Sequence, residues 1–295
     1  MDTYLKASPT FLLKDYVEMT KPGICALALV MTLFGYGMAK DPSLPIWDLH
    51  LVWSMLGIAL VGAASGVLNQ YIERDLDLQM DRTKDRPLPA GRIAPGHALI
   101  FGATLAFSGE IILVFMTNQV TAILAALTLF LYLAVYTPSK RMSTLSTLIG
   151  ALPGAMPPLL GWTAATGRLG FEGWVLFAIL FIWQIPHFLA IGWLYRDDYS
   201  KANFPILTVV DSEGKITVKQ IILYTVILIP LTLMAGFSGI SGIYYTMGAG
   251  LLGLFFLIEG VKMIWDRSRT QARRLFFASI IYLPLLGLLM VWDRL

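Results

Sequence analysis

Long apolar runs alternate with short polar breaks along the whole chain. The apolar stretches lie near 23–39, 51–72, 98–116, 120–137, 145–165, 173–195, 220–237, 242–262 and 275–292. A helix needs about 20 apolar residues to cross a hydrocarbon core of about 30 Å, so the pattern predicts nine transmembrane helices. The pair covering 98–137 is divided only by Thr117, Asn118 and Gln119.

Composition agrees with this picture. The 295 residues are 57% hydrophobic and only 14% charged, with a mean hydropathy of +0.69, which is more apolar sequence than one soluble core of this size would hide. The expected class is an all-α, polytopic membrane protein, a single domain over residues 1–295 with a lipid bilayer as its surroundings and no nucleic-acid partner. Cys25 is the single cysteine, which excludes a disulfide framework, a thiolate metal cluster and covalent CxxCH heme attachment. Residues 1–22 mix Asp2, Asp15 and Glu18 with three lysines. That suits neither a secretory leader nor a transit peptide and predicts an amphipathic segment at the membrane edge.

Charge supplies the orientation. With a cytoplasmic N-terminus, nine spans put 19 of the 22 Lys and Arg residues on the inner side, leaving only Lys40, Arg168 and Arg294 outside. Basic residues concentrate on cytoplasmic loops, so the acidic loops are expected to be cytoplasmic and the C-terminus on the opposite face. Dropping one central span would scatter the later basic loops over both faces. Two inner loops, 73–97 and 196–219, are also rich in carboxylates, which orientation alone does not require.

In the first of these loops, Asn69, Glu73, Asp77 and Asp81 are spaced by four. On a continuing helix they share a face, about 6 Å apart along the axis. Like charges at that spacing repel, and a hard divalent cation would turn repulsion into ligation. Mg²⁺ takes oxygen ligands, commonly one or two carboxylates with substrate phosphates, and Mn²⁺ would accept the same set. Arg74, Arg82, Lys84 and Arg86 follow closely, and guanidinium groups match phosphate oxygens. Pro87 and Pro89 are expected to end the helix, and Asp75 to point away from the stripe. A solvated, salt-bridged loop is the competing reading of these charges.

The second loop repeats the theme: the run FIWQIPHFLAIGWLYRDDYSKANFPILTVV ends its apolar part in Arg196, Asp197 and Asp198. His187 lies eleven residues before Asp198, about 16 Å on a continuous helix, which places an imidazole deep in the membrane on the face of that acid. A polar group at such depth lines a cavity or makes a structural hydrogen bond; Pro186 loosens the helix just before it. His50 and His97 sit near span ends as ordinary interface residues. Lys140 and Arg141, in YTPSKRMST, either mark topology or bind phosphate, and Lys21, in MTKPGI, is a weaker candidate of the same kind.

These segments together resemble the UbiA superfamily of intramembrane prenyltransferases, and within it the branch that farnesylates heme. The likeness runs through DYVEMTKPGI, NQYIERDLDLQMDRTKDRPLPAGRI, YTPSKRMSTLSTLIGALPGAMPPLLGW and WQIPHFLAIGWLYRDDYSKANFPIL. The superfamily's first motif, N-x-x-x-D-x-x-x-D, falls on Asn69, Glu73 and Asp77, with Glu73 one methylene longer than the usual Asp. The second, D-x-x-x-D, matches only in part: Asp197 and Asp198 are present, and Lys201 and Ala202 stand where another carboxylate is expected. Asp198 and Tyr199 fit the shortened DY form of the heme branch, and WQIPHF is its most distinctive element.

The resemblance implies nine helices around a central cavity whose inner mouth is capped by the acidic loops. It implies farnesyl diphosphate as donor, heme b as acceptor and heme O as product. Asn69, Glu73, Asp77 and Asp198 would hold the metal, Arg82, Arg86, Lys140 and Arg141 the diphosphate, and His187 the heme. Tyr71, Tyr136, Trp162 and Trp183 are candidates to face an allylic cation, and heme A synthase or terminal-oxidase assembly factors are candidate partners. Three other readings compete: a transporter, which would carry charges near the midplane, a non-catalytic heme-handling protein, and a prenyltransferase for a quinone precursor.

Overall fold

A computed structural model describes residues 9–295 except 42, 44 and 202, so the first eight residues of the expected membrane-edge segment lie outside the described residues. The helices in chain order are α1 (Pro9–Met19), α2 (Pro22–Ala39), α3 (Leu49–Asp77), α4 (Pro95–Ile112), α5 (Gln119–Phe130), α6 (Thr137–Ser139), α7 (Ser146–Gly154) and α8 (Met156–Thr166), followed by α9 (Phe171–Leu194), α10 (Arg196–Lys201), α11 (Leu207–Val210), α12 (Lys215–Phe237), α13 (Ile243–Lys262) and α14 (Arg269–Trp292). A π-helical turn, Leu113–Thr117, extends α4, and a second, Leu131–Tyr136, joins α5 to α6.

Eight of these helices, with their extensions, are long and apolar enough to cross a membrane. The remaining expected span, 145–165, is made by α7 and α8 in succession. The chain breaks there at Ala155, between Pro153 and Pro157, because proline lacks the amide that continues a helix and its ring clashes with the preceding turn. The described residues thus hold eight helices of crossing length and one broken apolar pair, in the order the hydropathy pattern predicts. The protein is a multi-pass membrane protein, and large apolar side chains such as Ile100, Phe107, Phe115, Leu251 and Leu288 point outward, where lipid would meet them.

Some of the long helices meet at small residues, as helices do where apolar solvent removes the hydrophobic drive to associate. A Cβ on Gly161 would stand 1.9 Å from the Thr32 carbonyl oxygen, and one on Gly35 would stand 2.0 Å from that of Pro158. Helices α2 and α8 therefore meet backbone to backbone. Helix α9 is the most enclosed of the eight; it packs on α7, α8, α12 and α14, with Trp183, Ile185, Leu189 and Ala190 buried.

Two expectations about helix ends are corrected. Helix α3 does not continue to Asp81 or to Pro87: it stops at Asp77. The buried Thr83 hydroxyl donates to the Asp77 carbonyl at 2.8 Å, and Met80 turns inward to pack with Phe204, so burial of one apolar side chain and a hydroxyl cap outweigh a further turn of like-charged helix. The helix carrying His187 also ends early. Tyr195 leaves helical geometry (φ −108°, ψ 21°), so Asp198 belongs to the separate helix α10.

Candidate active site

The C-terminal end of α3 carries Asn69, Glu73 and Asp77 on one buried face, at 1%, 6% and 1% exposure. Such groups at a helix end are stable in burial only when bonded and paired. The Asn69 amide donates to Glu73 Oε2 at 2.9 Å and to Thr137 Oγ1 at 3.2 Å. Lys140, next to α6, donates to both Glu73 oxygens, at 2.9 and 3.1 Å, and its ammonium lies 4.7 Å from the Tyr136 ring centre. Arg86 donates to Asp77 Oδ2 at 2.8 Å. Lys21, at the head of α2, donates to Asn69 Oδ1 at 2.6 Å.

Three cations therefore converge on two carboxylates and one amide. That excess leaves its mark on Lys21: burial, and then the Arg86 and Lys140 charges, pull its ammonium down to about 7, against the opposing pull of Glu73 and Asp77. Lys21 also holds a left-handed backbone conformation, φ 53°, which costs a residue with a Cβ roughly 1–2 kcal/mol. Strain of that kind concentrates at functional positions, and here it delivers the ammonium to Asn69. A buried, cation-rich cluster is suited to a polyanion, whose oxygens would meet donors already in place.

Among the described residues, no three His, Cys, Asp or Glu side chains stand close enough to hold a metal by themselves. The donor set does fit Mg²⁺ bound as it commonly is, by one or two carboxylates plus phosphate oxygens. Asp77 Oδ1 is buried without a hydrogen-bond partner among the described residues, an open ligand position beside Glu73 and Asn69 on the same helix face.

The remaining sequence candidates divide. Arg82 stacks over Tyr195 and Tyr199, at 5.3 and 5.8 Å, and donates to the Tyr199 hydroxyl at 3.4 Å. Asp81, off the stripe, is bonded by Lys84 at 2.9 Å and by Lys201 at 2.5 Å, which ties the loop after α3 to α10. Arg141 is exposed and makes no side-chain bond among the described residues. Asp198 has no ion pair among them and lines a cavity of about 570 Å³ between α9, α10 and the start of α14. It stands apart from the Asn69, Glu73 and Asp77 contacts.

His187 is mid-helix on α9, stacked on Trp183 at 4.8 Å and on Phe276 at 5.1 Å. Its tautomer follows from one proton count. The Ser279 hydroxyl donates to the Phe276 carbonyl at 2.6 Å, so at 2.7 Å from His187 Nδ1 it accepts, and Nδ1 carries the hydrogen. Nε2 then keeps its lone pair, and no described residue bonds to it.

Of the four aromatic candidates, Tyr136 is at the cluster, 5.5 Å from Tyr132. Trp183 belongs to the His187 stack, Tyr71 lies under Arg74, and Trp162 packs against Gly170 and Gly173.

A match to the UbiA prenyltransferase family covers residues 28–281. The chain belongs to that family. Protoheme IX farnesyltransferase of Solibacter usitatus is 44% identical over 290 residues, 96% of this chain and 99% of that protein. Among solved structures, a digeranylgeranylglyceryl phosphate synthase matches 95% of this chain and 98% of its own with a TM-score of 0.80 at 18% identity. A UbiA homolog from Archaeoglobus fulgidus bound to DMAPP and Mg²⁺ covers 94% and 99% with a TM-score of 0.66 at 14% identity.

Within this UbiA fold, two contributors to the cluster escaped the sequence pattern. Thr137 and Tyr132 arrive there through the π-helical turn over Leu131–Tyr136, whose register an α-helical reading misplaces. Lys21 is only a weak candidate from sequence, where a single lysine before Pro22-Gly23 reads as a plain helix start; the left-handed φ that aims it appears only in the fold.

Proposed function

We propose that this UbiA-family chain transfers the farnesyl group of farnesyl diphosphate to a vinyl group of protoheme IX, giving heme O and diphosphate. The observation that carries the chemistry is the buried convergence of Lys21, Arg86 and Lys140 on Asn69, Glu73 and Asp77. The acceptor rests on end-to-end likeness to proteins named for farnesylating protoheme IX.

The chain's own groups divide the work. Arg86, Lys140 and Lys21 hold the diphosphate oxygens, and Arg82 reaches them from its seat on Tyr195 and Tyr199. Glu73, Asp77 and Asn69 would hold Mg²⁺, for which Mn²⁺ would substitute, with Asp198 of α10 the further carboxylate candidate. When bound, the ion supplies charge neutralisation for the leaving diphosphate. The farnesyl chain lies among apolar helices, where burial contributes roughly 0.8 kcal/mol per CH₂, and Tyr136 and Tyr132 face the allylic carbon.

In the balanced reaction the C–O bond to diphosphate breaks, the vinyl carbon bonds to farnesyl C1, and one water adds its oxygen to the resulting cation while a proton leaves. Excluding every other water protects the cation. His187 Nε2 binds the heme iron and orients the vinyl group. The acidic loops and the N-terminus face the cytoplasm and the C-terminus the opposite side of the inner membrane, where heme A synthase or oxidase assembly factors would receive the product. Purified protein incubated with protoheme IX, farnesyl diphosphate and Mg²⁺ should yield heme O by mass spectrometry; released diphosphate with unchanged porphyrin would refute the assignment.

A further inference from the structure

Resting on that acceptor, we propose that Arg269 and Arg273 bind the two carboxylate side chains of the porphyrin, in the cavity between α9, α10 and α14. At about 570 Å³ the cavity falls within the range of small-molecule sites, roughly 300–1,000 Å³. Its walls include Phe276, Phe277 and Ile191, and its polar rim includes Arg269, Arg273 and Asp198.

The two arginines are four residues apart, so they project from one face of α14 about 6 Å apart along its axis. Arg269 is already engaged with a carboxylate, donating to the exposed Asp197 at 2.5 Å, which demonstrates the reach and leaves a partner that water readily takes over. Arg273 has no ion pair among the described residues. The other rim cation, Lys201, is committed to Asp81. Two forked guanidiniums, one unneutralised, match a pair of carboxylates better than a lysine pair would.

The same face of α14 then leads to the imidazole. Phe276 lines the cavity and stacks on His187 at an interplanar angle of 27°, and Ser279 leaves Nε2 as the free nitrogen. Ser279 lies about 9 Å along the helix from Arg273 and about 15 Å from Arg269. One helix therefore presents, in order, carboxylate donors at the water edge, a flat ring, and the group that fixes a metal-competent histidine. The cavity also meets the loop after α3, because Tyr195 lines it and carries Arg82 on its ring. A neutral aromatic acceptor would leave both guanidiniums unused.

Absorbance titrations of the purified protein with protoheme IX and with its dimethyl ester test this directly. The wild type should bind the diacid about tenfold or more tightly than the diester. Arg269→Gln combined with Arg273→Gln should weaken diacid binding by that factor and leave diester binding unchanged, with Arg273→Lys recovering part of the loss. Equal wild-type affinities overturn the proposal without recourse to any variant. So does a double variant that unfolds at the wild-type temperature and keeps the diacid preference. Farnesyl transfer by the wild type, run in parallel, separates the two levels: transfer without diacid preference removes the arginine assignment alone, whereas neither binding nor farnesylation of protoheme removes the acceptor and the arginine assignment with it.

Discussion

Glu73 and Lys140 allow the chemistry of the cluster to be separated from its stability. Their side chains are only 8% and 18% exposed, and Lys140 spans both carboxylate oxygens. Lys140→Met keeps most of the stem volume and deletes the ammonium, leaving Glu73 charged and buried with the Asn69 amide as its hydrogen-bond partner. Removing one member of a buried ion pair typically costs about 3–5 kcal/mol. The surviving amide bond places this case near the lower figure, about 3 kcal/mol. At roughly 2 °C per kcal/mol for a large chain, thermal unfolding should fall by about 6 °C.

Adding Glu73→Gln removes the stranded charge. Neutral replacement of both partners is often close to harmless for stability, so the double variant should return to within about 1 kcal/mol of the wild type. On the proposed roles, turnover should not return with it, since the double variant would lack both a diphosphate donor and a metal ligand; loss of one such group costs about 10²–10³ in rate. The assay is fluorescence-detected unfolding in detergent beside heme O formation by the same preparations. A double variant no more stable than Lys140→Met would refute the ion-pair account. A double variant with normal turnover would remove both residues from the chemistry.

Four further outcomes are expected. Asp77→Asn strands Arg86 and removes the unpartnered Oδ1 carboxylate position; heme O formation should drop by about 10²-fold, and a normal Mg²⁺ titration of activity would contradict the ligand assignment. His187→Ala should weaken protoheme binding and shift its absorption spectrum, and an unchanged titration would reject iron ligation. Gly161→Ala drives a methyl into the Thr32 carbonyl and should destabilise the α2–α8 contact by about 3 kcal/mol, measured as a lowered unfolding temperature. Hydrogen bonds from Lys201 and then Lys84 hold the Asp81 carboxyl down to about 2. Its folded value lies below its free one, so the tie to α10 is fully present above about pH 4 and is lost only as pH falls through about 2. Proteolysis of the 78–93 loop should therefore be equal at about pH 7 and about pH 5, yet faster in salt near 0.5 M, because exposed pairs are screened. The opposite pattern would show that the tie does not restrain the loop.

Span number and order were legible because membrane thickness fixes helix length and lipid fixes polarity, two constraints that act residue by residue. The break at Ala155 was marked by Pro153 and Pro157, yet hydropathy averages over it. The end of α3 was misread for a different reason. Four-residue spacing carries Asn69 to Asp81 along a stripe only while the helix lasts, and what ends it is a contact between Met80 and Phe204, more than a hundred positions apart, together with a hydroxyl cap.

The functional face shows the same division. Asn69, Glu73 and Asp77 could be grouped from sequence because one helix holds them, and a helix has a known period. Their cations could be named but not brought to that face, because Lys21, Arg86 and Lys140 come from three separate segments and reach it through a left-handed residue, a turn-rich loop and a π-helical turn. That difference bears on mechanism. Carboxylates on a rigid helix give the site a fixed frame, whereas cations on loops can exchange a carboxylate for a phosphate oxygen at little cost in backbone order. Under the proposed function, the ion pairs of Lys140 with Glu73 and of Arg86 with Asp77 would keep the four side chains in position, and a metal with its diphosphate would take up both acids and both cations in one exchange.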